Sequence, residues 1–81
     1  MDTLQVYSRQ GCHLCEVLLE ELLPVIRGKL EIEVLDIDTR PEWIETYGTR
    51  VPVIEYRGRF VCEHRLDINA VKGILAAAGR S

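Results

Sequence analysis

From Thr3 to Tyr7 apolar and polar residues alternate, and a short loop, Ser8-Arg9-Gln10-Gly11, then leads into Cys12-His13-Leu14-Cys15 at the head of a helical apolar pattern. This order of strand, loop, paired cysteines and helix constrains the fold more than any other stretch. The next strand-like run, Glu31 to Asp38, has to return to the same sheet. Two strands joined through a helix lie parallel, with a right-handed crossover. The loop also constrains the chemistry. Thiols at i and i+3 on a first helical turn can close a small disulfide ring. The first of them lies where unpaired backbone N–H groups and the helix dipole favour an anion. A free cysteine titrates at roughly pH 8.5, and such a position pulls it down by about one unit or more. A thiolate near neutral pH with a second thiol in reach is the equipment of thiol–disulfide exchange.

The remaining pattern completes the frame. Leu14, Val17, Leu18, Leu22 and Val25 follow the helical period, with Glu16, Glu20 and Glu21 elsewhere on the wheel as a solvated face. Pro24 is expected to kink or end this helix, and Gly28 to close the segment. Ile32 and Val34 fall on one face of the second strand, Leu35 and Ile37 on the other, which predicts a strand covered on both sides. Thr39-Arg40-Pro41-Glu42 reads as a capping box opening a short helix through about Tyr47, ended by Gly48. Trp43 and Tyr47, at i and i+4 on that helix, are expected to pack against the sheet. Val51 to Tyr56 and Arg59 to Cys62 are strand-like, joined by a turn at Arg57-Gly58. Asp67 is a good N-cap for the last helix, with Leu66 and Val71 as its hydrophobic staple. Ile68, Val71, Leu75 and Ala78 mark its buried stripe, and Gly79 its stop. The order β-α-β-α-β-β-α gives an α/β fold, a mixed four-stranded sheet with helices on both faces.

At 81 residues one domain spanning 1–81 is expected, and 47% apolar with 28% charged residues describes an ordinary soluble globular chain. Net charge is −3, with no basic cluster, so nucleic acid is not an expected partner. Met1-Asp2-Thr3-Leu4 does not begin an export signal, and no apolar run approaches a membrane span. The cytoplasm is therefore the default compartment, and a monomer is expected. Three cysteines is an odd number for a structural disulfide framework, which favours redox or metal chemistry.

On these residues the chain resembles the glutaredoxin branch of the thioredoxin superfamily. The resemblance is carried by Val6-Tyr7-Ser8-Arg9 leading into Gly11-Cys12-His13-Leu14-Cys15, by Val34 to Asp38, and by Val51-Pro52-Val53-Ile54. Small bacterial glutaredoxin-like proteins with a Cys-His-x-Cys motif are a better match than typical glutaredoxins. The resemblance implies a thioredoxin/glutaredoxin-like fold with sheet order 2-1-3-4, and first and last helices on one face. It further implies that Cys12 and Cys15 form the redox pair, with Cys12 the nucleophile and Cys15 the resolving thiol. Pro52 would be cis and face the pair, and the Val51 backbone would hydrogen-bond an extended substrate. Arg9 resembles a basic residue that favours the thiolate or receives an anionic group; a solvated loop charge is the alternative. The implied partner is a protein or small-molecule disulfide, reduced at the expense of glutathione or a thioredoxin-reductase-type enzyme, with no resident cofactor.

The departures also carry predictions. His13 and Leu14 replace the Pro-Tyr that glutaredoxins place between the cysteines, and His13 can donate to a neighbouring sulfur or steady a thiolate when protonated. The Gly-Gly and Ser/Thr-Asp segment that cradles glutathione in the family is here Cys62-Glu63-His64-Arg65-Leu66-Asp67. Side chains obstruct close backbone approach, and Glu63 would repel an anionic tripeptide, so weak coupling to glutathione is expected. Cys62 is read as a strand residue sharing the face of Phe60, and His64 as a loop residue. Alternatives are a zinc set of Cys12, Cys15, Cys62 and His64, a third-thiol role for Cys62, a glutaredoxin-like iron–sulfur carrier, and a redox-silent interaction domain.

Overall fold

A computed structural model describes residues 2–78. Strand β1 (Thr3–Ser8) leads into α1 (His13–Ile26), β2 (Glu31–Asp36), α2 (Pro41–Tyr47), β3 (Val53–Tyr56), β4 (Arg59–Glu63) and α3 (Ile68–Ala78). The sheet has the order β2-β1-β3-β4, with β1 and β2 parallel and the other neighbours antiparallel. The topology is that of the thioredoxin-like fold, as the resemblance implied.

Side-chain alternation along β1 divides the core in two. Leu4 and Val6 point to one face and pack with Leu18, Leu22 and Ile26 of α1, Ile54 of β3 and Val71 of α3. Tyr7 points to the other, into a smaller cluster with Ile37, Tyr47 and Val53. Tyr7 stacks on Tyr47 at 4.1 Å between ring centroids, and Trp43 meets Tyr7 edge-on at 5.4 Å. Trp43 and Tyr47 thus pack against the sheet, and the helices cover both of its faces.

Several boundaries differ from the sequence pattern, each for a local reason. The buried stripe of α1 is Cys15, Leu18, Leu22 and Ile26, rotated from the expected one, which leaves Leu14 42% exposed. Pro24 does not end α1; the helix runs two residues past it, and Arg27 N–H closes on the Leu23 carbonyl. The second strand stops at Asp36, not Asp38, because the Asp36 carboxylate accepts from Asp38 N–H and turns the chain into a 3₁₀ segment, Ile37–Thr39. Nor is β2 covered on both sides: it is an edge strand with Val34 49% exposed. The capping box fails because Thr39 lies one residue before the N-cap, where its hydroxyl donates to the Asp36 carbonyl; Arg40 is the N-cap of α2, without a side-chain bond, and Pro41 begins the helix.

Arg57 and Gly58 both have positive φ, 53° and 77°, as a tight two-residue hairpin turn demands. A register shift between Ile54 and Glu55 pairs Glu55 with Phe60 but Ile54 with Cys62, so Val61 is bulged. The bulge puts Phe60 and Cys62 on opposite faces, correcting the expectation that they share one. Phe60 lies beside Arg50, whereas Cys62 enters the α1–α3 core. The Asp67 carboxylate caps α3 through Ala70 N–H at 3.1 Å, and Leu66 packs on the core that Val71 closes. The stop expected at Gly79 lies outside the described residues.

Candidate functional site

Gly11, at φ 74°, turns the loop after β1 so that Cys12 N–H returns to the Arg9 carbonyl. Cys12 is then the N-cap of α1: its backbone is extended, its carbonyl accepts from Glu16 N–H, and its Sγ accepts from Cys15 N–H at 3.2 Å. A sulfur here occupies the place of a capping oxygen, among N–H groups that have no helical partner. Cys12 and Cys15 are joined as a disulfide with Cα atoms 5.3 Å apart. Cys12 is half-buried, whereas Cys15 is 3% exposed, one turn deeper. An incoming sulfur can therefore approach the first and not the second.

The strand register collects further residues at this end of the sheet. Val53 lies opposite Tyr7, so Pro52 comes level with the end of β1, from which the loop leads to Cys12. Pro52 is fully buried and the Val51–Pro52 peptide bond is cis. The Val51 N–H donates to the Tyr47 carbonyl at 3.1 Å and so is already satisfied within the chain. The Pro52 carbonyl accepts from His64 N–H at 2.8 Å, tying the loop after β4 to the proline. His64 has φ 66° and Arg65 N–H reaches the Glu63 carbonyl at 2.7 Å, a γ-turn that holds a side-chain-bearing residue in the left-handed region.

Arg9 forms a two-pronged ion pair with Asp38, with Nε to Oδ2 at 3.0 Å and Nη2 to Oδ1 at 2.8 Å. That hydrogen bond holds the Asp38 carboxyl below its ordinary range and raises the Arg9 guanidinium. Arg50, next to Val51, pairs with Glu63 at 3.3 Å and lies over the rings of Tyr47 and Phe60. Glu63 also meets His64 Nε2 at 3.2 Å. The carboxylate expected to repel an anionic ligand is thus matched by basic groups. Asp38 was marked in sequence only as the end of a strand-like run, and Arg50 by no motif; each is drawn in by a partner that only the folded chain brings near.

Cys62 is buried, and burial raises its thiol above the ordinary value. Among the described residues no three His, Cys, Asp or Glu side chains gather where they could hold a metal ion, so the set Cys12, Cys15, Cys62 and His64 is not assembled. No described helix is long and apolar enough to cross a membrane. An open groove of about 320 Å³ runs beside the cysteine pair, between the first half of α1 and the loop that follows β4.

Comparison with known proteins gives the family and the fold. A search of curated protein sequences finds no match. A structural genomics target protein from X. campestris is 31% identical, with a TM-score of 0.70 over 91% of this chain and 96% of that one. Oxidized glutaredoxin 2 from Chlamydomonas reinhardtii shares the fold at 22% identity, TM-score 0.58, over 98% of this chain and 80% of its own. A buckwheat glutaredoxin, solved as its glutathione complex, does so at 14% identity and TM-score 0.60, over 96% and 80%. The family model for the Glutaredoxin-like domain (DUF836) matches residues 3–76, and the chain belongs to that family.

Proposed function

We propose that the protein is a thiol–disulfide oxidoreductase that cycles between a Cys12/Cys15 dithiol and disulfide. The observation that carries this reading is the Cys12–Cys15 pairing at the N-terminus of α1, accessible sulfur first and buried sulfur second. In the reduced protein the Cys12 thiolate, favoured by the orphan N–H groups of the helix start, attacks one sulfur of a substrate disulfide. A Cys12–substrate S–S bond forms, the substrate S–S bond breaks, and the leaving thiolate takes up a proton. The Cys15 thiolate then attacks Cys12 Sγ and releases the second substrate thiolate. Two electrons have passed from the dithiol to the substrate, and an external thiol or thioredoxin-reductase-type enzyme restores the pair.

Around this step His13 steadies the Cys12 thiolate, Pro52 shapes the wall beside the pair, and the Val51 carbonyl accepts from an extended substrate backbone. Arg9, oriented by Asp38, adds positive potential to the loop that carries Cys12. The substrate is a protein or small-molecule disulfide, and the protein acts as a cytoplasmic monomer, a single domain over residues 1–81. The buckwheat structure shows glutathione on a protein of this fold. Here side chains fill the segment where the family cradles that ligand, so we expect weak coupling to glutathione and better turnover with thioredoxin reductase.

The test is reduction of a small disulfide with each reductant in turn, by wild type and by Cys12→Ser. We expect Cys12→Ser to be inactive with both. Full activity in that variant overturns the mechanism, and efficient turnover with glutathione alone overturns the choice of reductant.

A further inference from the structure

The arginines near the end of the sheet that carries the cysteine pair are not alike. Arg9 is matched by Asp38 and Arg50 by Glu63, whereas Arg65 has no ion-pair partner among the described residues. Arg65 lines the groove between α1 and the loop after β4, together with His64, His13 and the apolar side chains of Leu14, Val17 and Leu66. His13 adjoins Cys12, so a chain held on Cys12 Sγ enters the groove at its basic end. At the other end stands Glu21. It lies eight residues along α1, about 12 Å at the helical rise. That span is three to four residues of extended chain at about 3.3 Å each.

We propose that this groove selects polypeptide disulfides by charge order: an acidic residue beside the substrate cysteine and a basic residue three to four positions further on. The proposal rests on the disulfide-reductase reading above and names its substrate class. The near acidic residue meets Arg65, the far basic residue meets Glu21, and apolar side chains between them pack on Leu14, Val17 and Leu66. The groove carries one cation without an ion pair among the described residues, Arg65, although the chain carries a net charge of −3, so its preference is local rather than a result of overall charge.

Two peptide disulfides of identical composition test it, one with Glu beside the cysteine and Lys four positions on, the other with the two exchanged. Equal net charge removes any bulk attraction. Wild type is expected to reduce the first about three- to tenfold faster in kcat/KM, within the range that two exposed ion pairs supply. A protein carrying both Glu21→Arg and Arg65→Glu, each at an exposed position, is expected to reverse the order. Equal rates for the two isomers in wild type, with a small uncharged disulfide reduced normally, overturn the proposal alone. A preference that survives the charge exchange also overturns it. Failure of all three substrates with wild type strikes the disulfide-reductase reading on which it rests.

Discussion

Carboxylates tie the chain together at two places remote in sequence, and their titration sets the acid behaviour. Asp2 accepts from the Tyr56 hydroxyl and from Arg57, and Asp38 accepts from Arg9. The Tyr56 hydrogen bond, then the Arg57 one, lowers Asp2 below its ordinary 3.8, and the Arg9 bond lowers Asp38 below the same value. A carboxyl depressed by folding contributes stability that is fully present above the unfolded value and lost as pH falls through the folded one. Both pairs therefore weaken the fold below about pH 4. We expect Asp2→Asn and Asp38→Asn to be less stable than wild type at pH 7, with the gap closing as the pH approaches 2. Urea unfolding at stepped pH measures this, and a gap that persists at pH 2 would show that the ion pairs are not its source. On the alkaline side the sign reverses. Burial raises Tyr47, and the Asp2 hydrogen bond raises Tyr56, so both contribute below their ordinary value and lose that contribution above it.

At the scale of elements, what was legible depended on whether a pattern had a rival. The start of α1 and the apolar core of β1 had none, and the cysteine pair could be placed from them. The end of β2 and the start of α2 did: the Asp36 carboxylate took the Asp38 N–H and turned the chain out of the strand, and the Thr39 hydroxyl bonded back to the Asp36 carbonyl while Arg40 became the N-cap. The Val61 bulge was hidden because Val61 and Cys62 are both apolar, so alternation could not say which one faces the core. The groove beside the cysteines was equally silent in sequence, since its walls come from α1 and a loop some fifty residues later. Pro24 gives this scale its test. It is exposed inside α1, lacks the N–H that would reach the Glu20 carbonyl, and sits only two residues before the helix ends. An interior proline costs about 3 kcal/mol relative to alanine, less where few residues follow. Pro24→Ala is expected to stabilise the protein by about 1–2 kcal/mol, or roughly 4–16 °C in Tm for a chain of this size. A lower Tm would mean that the proline shapes the turn at Arg27-Gly28 more than it burdens the helix.

Over the whole molecule the two cores do different work. The larger one fastens α1 and α3 to the sheet through Leu4, Leu18, Leu22, Ile26, Ile54 and Val71; the smaller one, through Tyr7, Tyr47 and Val53, backs the segment that ends at Pro52. Leu22 is fully buried in the first, seven residues beyond Cys15 and about 10 Å along the helix. Val53 is fully buried in the second and directly follows Pro52. Leu22→Ala removes more buried hydrocarbon and leaves a cavity, at a cost of about 2–5 kcal/mol. That is a large share of the 5–15 kcal/mol on which a small domain of this kind typically rests. Val53→Ala removes two methyl groups, roughly 1–3 kcal/mol. If stability and redox function are carried by different layers, the ranking inverts between the two measurements. Leu22→Ala should show the larger fall in urea midpoint but, below its unfolding range, a disulfide-reduction rate per folded molecule close to wild type. Val53→Ala should unfold at a higher urea concentration than Leu22→Ala yet reduce disulfides more slowly, because Pro52, which we propose shapes the site, has lost its backing. Equal rate losses in the two variants would mean that α1 transmits its packing to the cysteine pair, and that the layers are one unit.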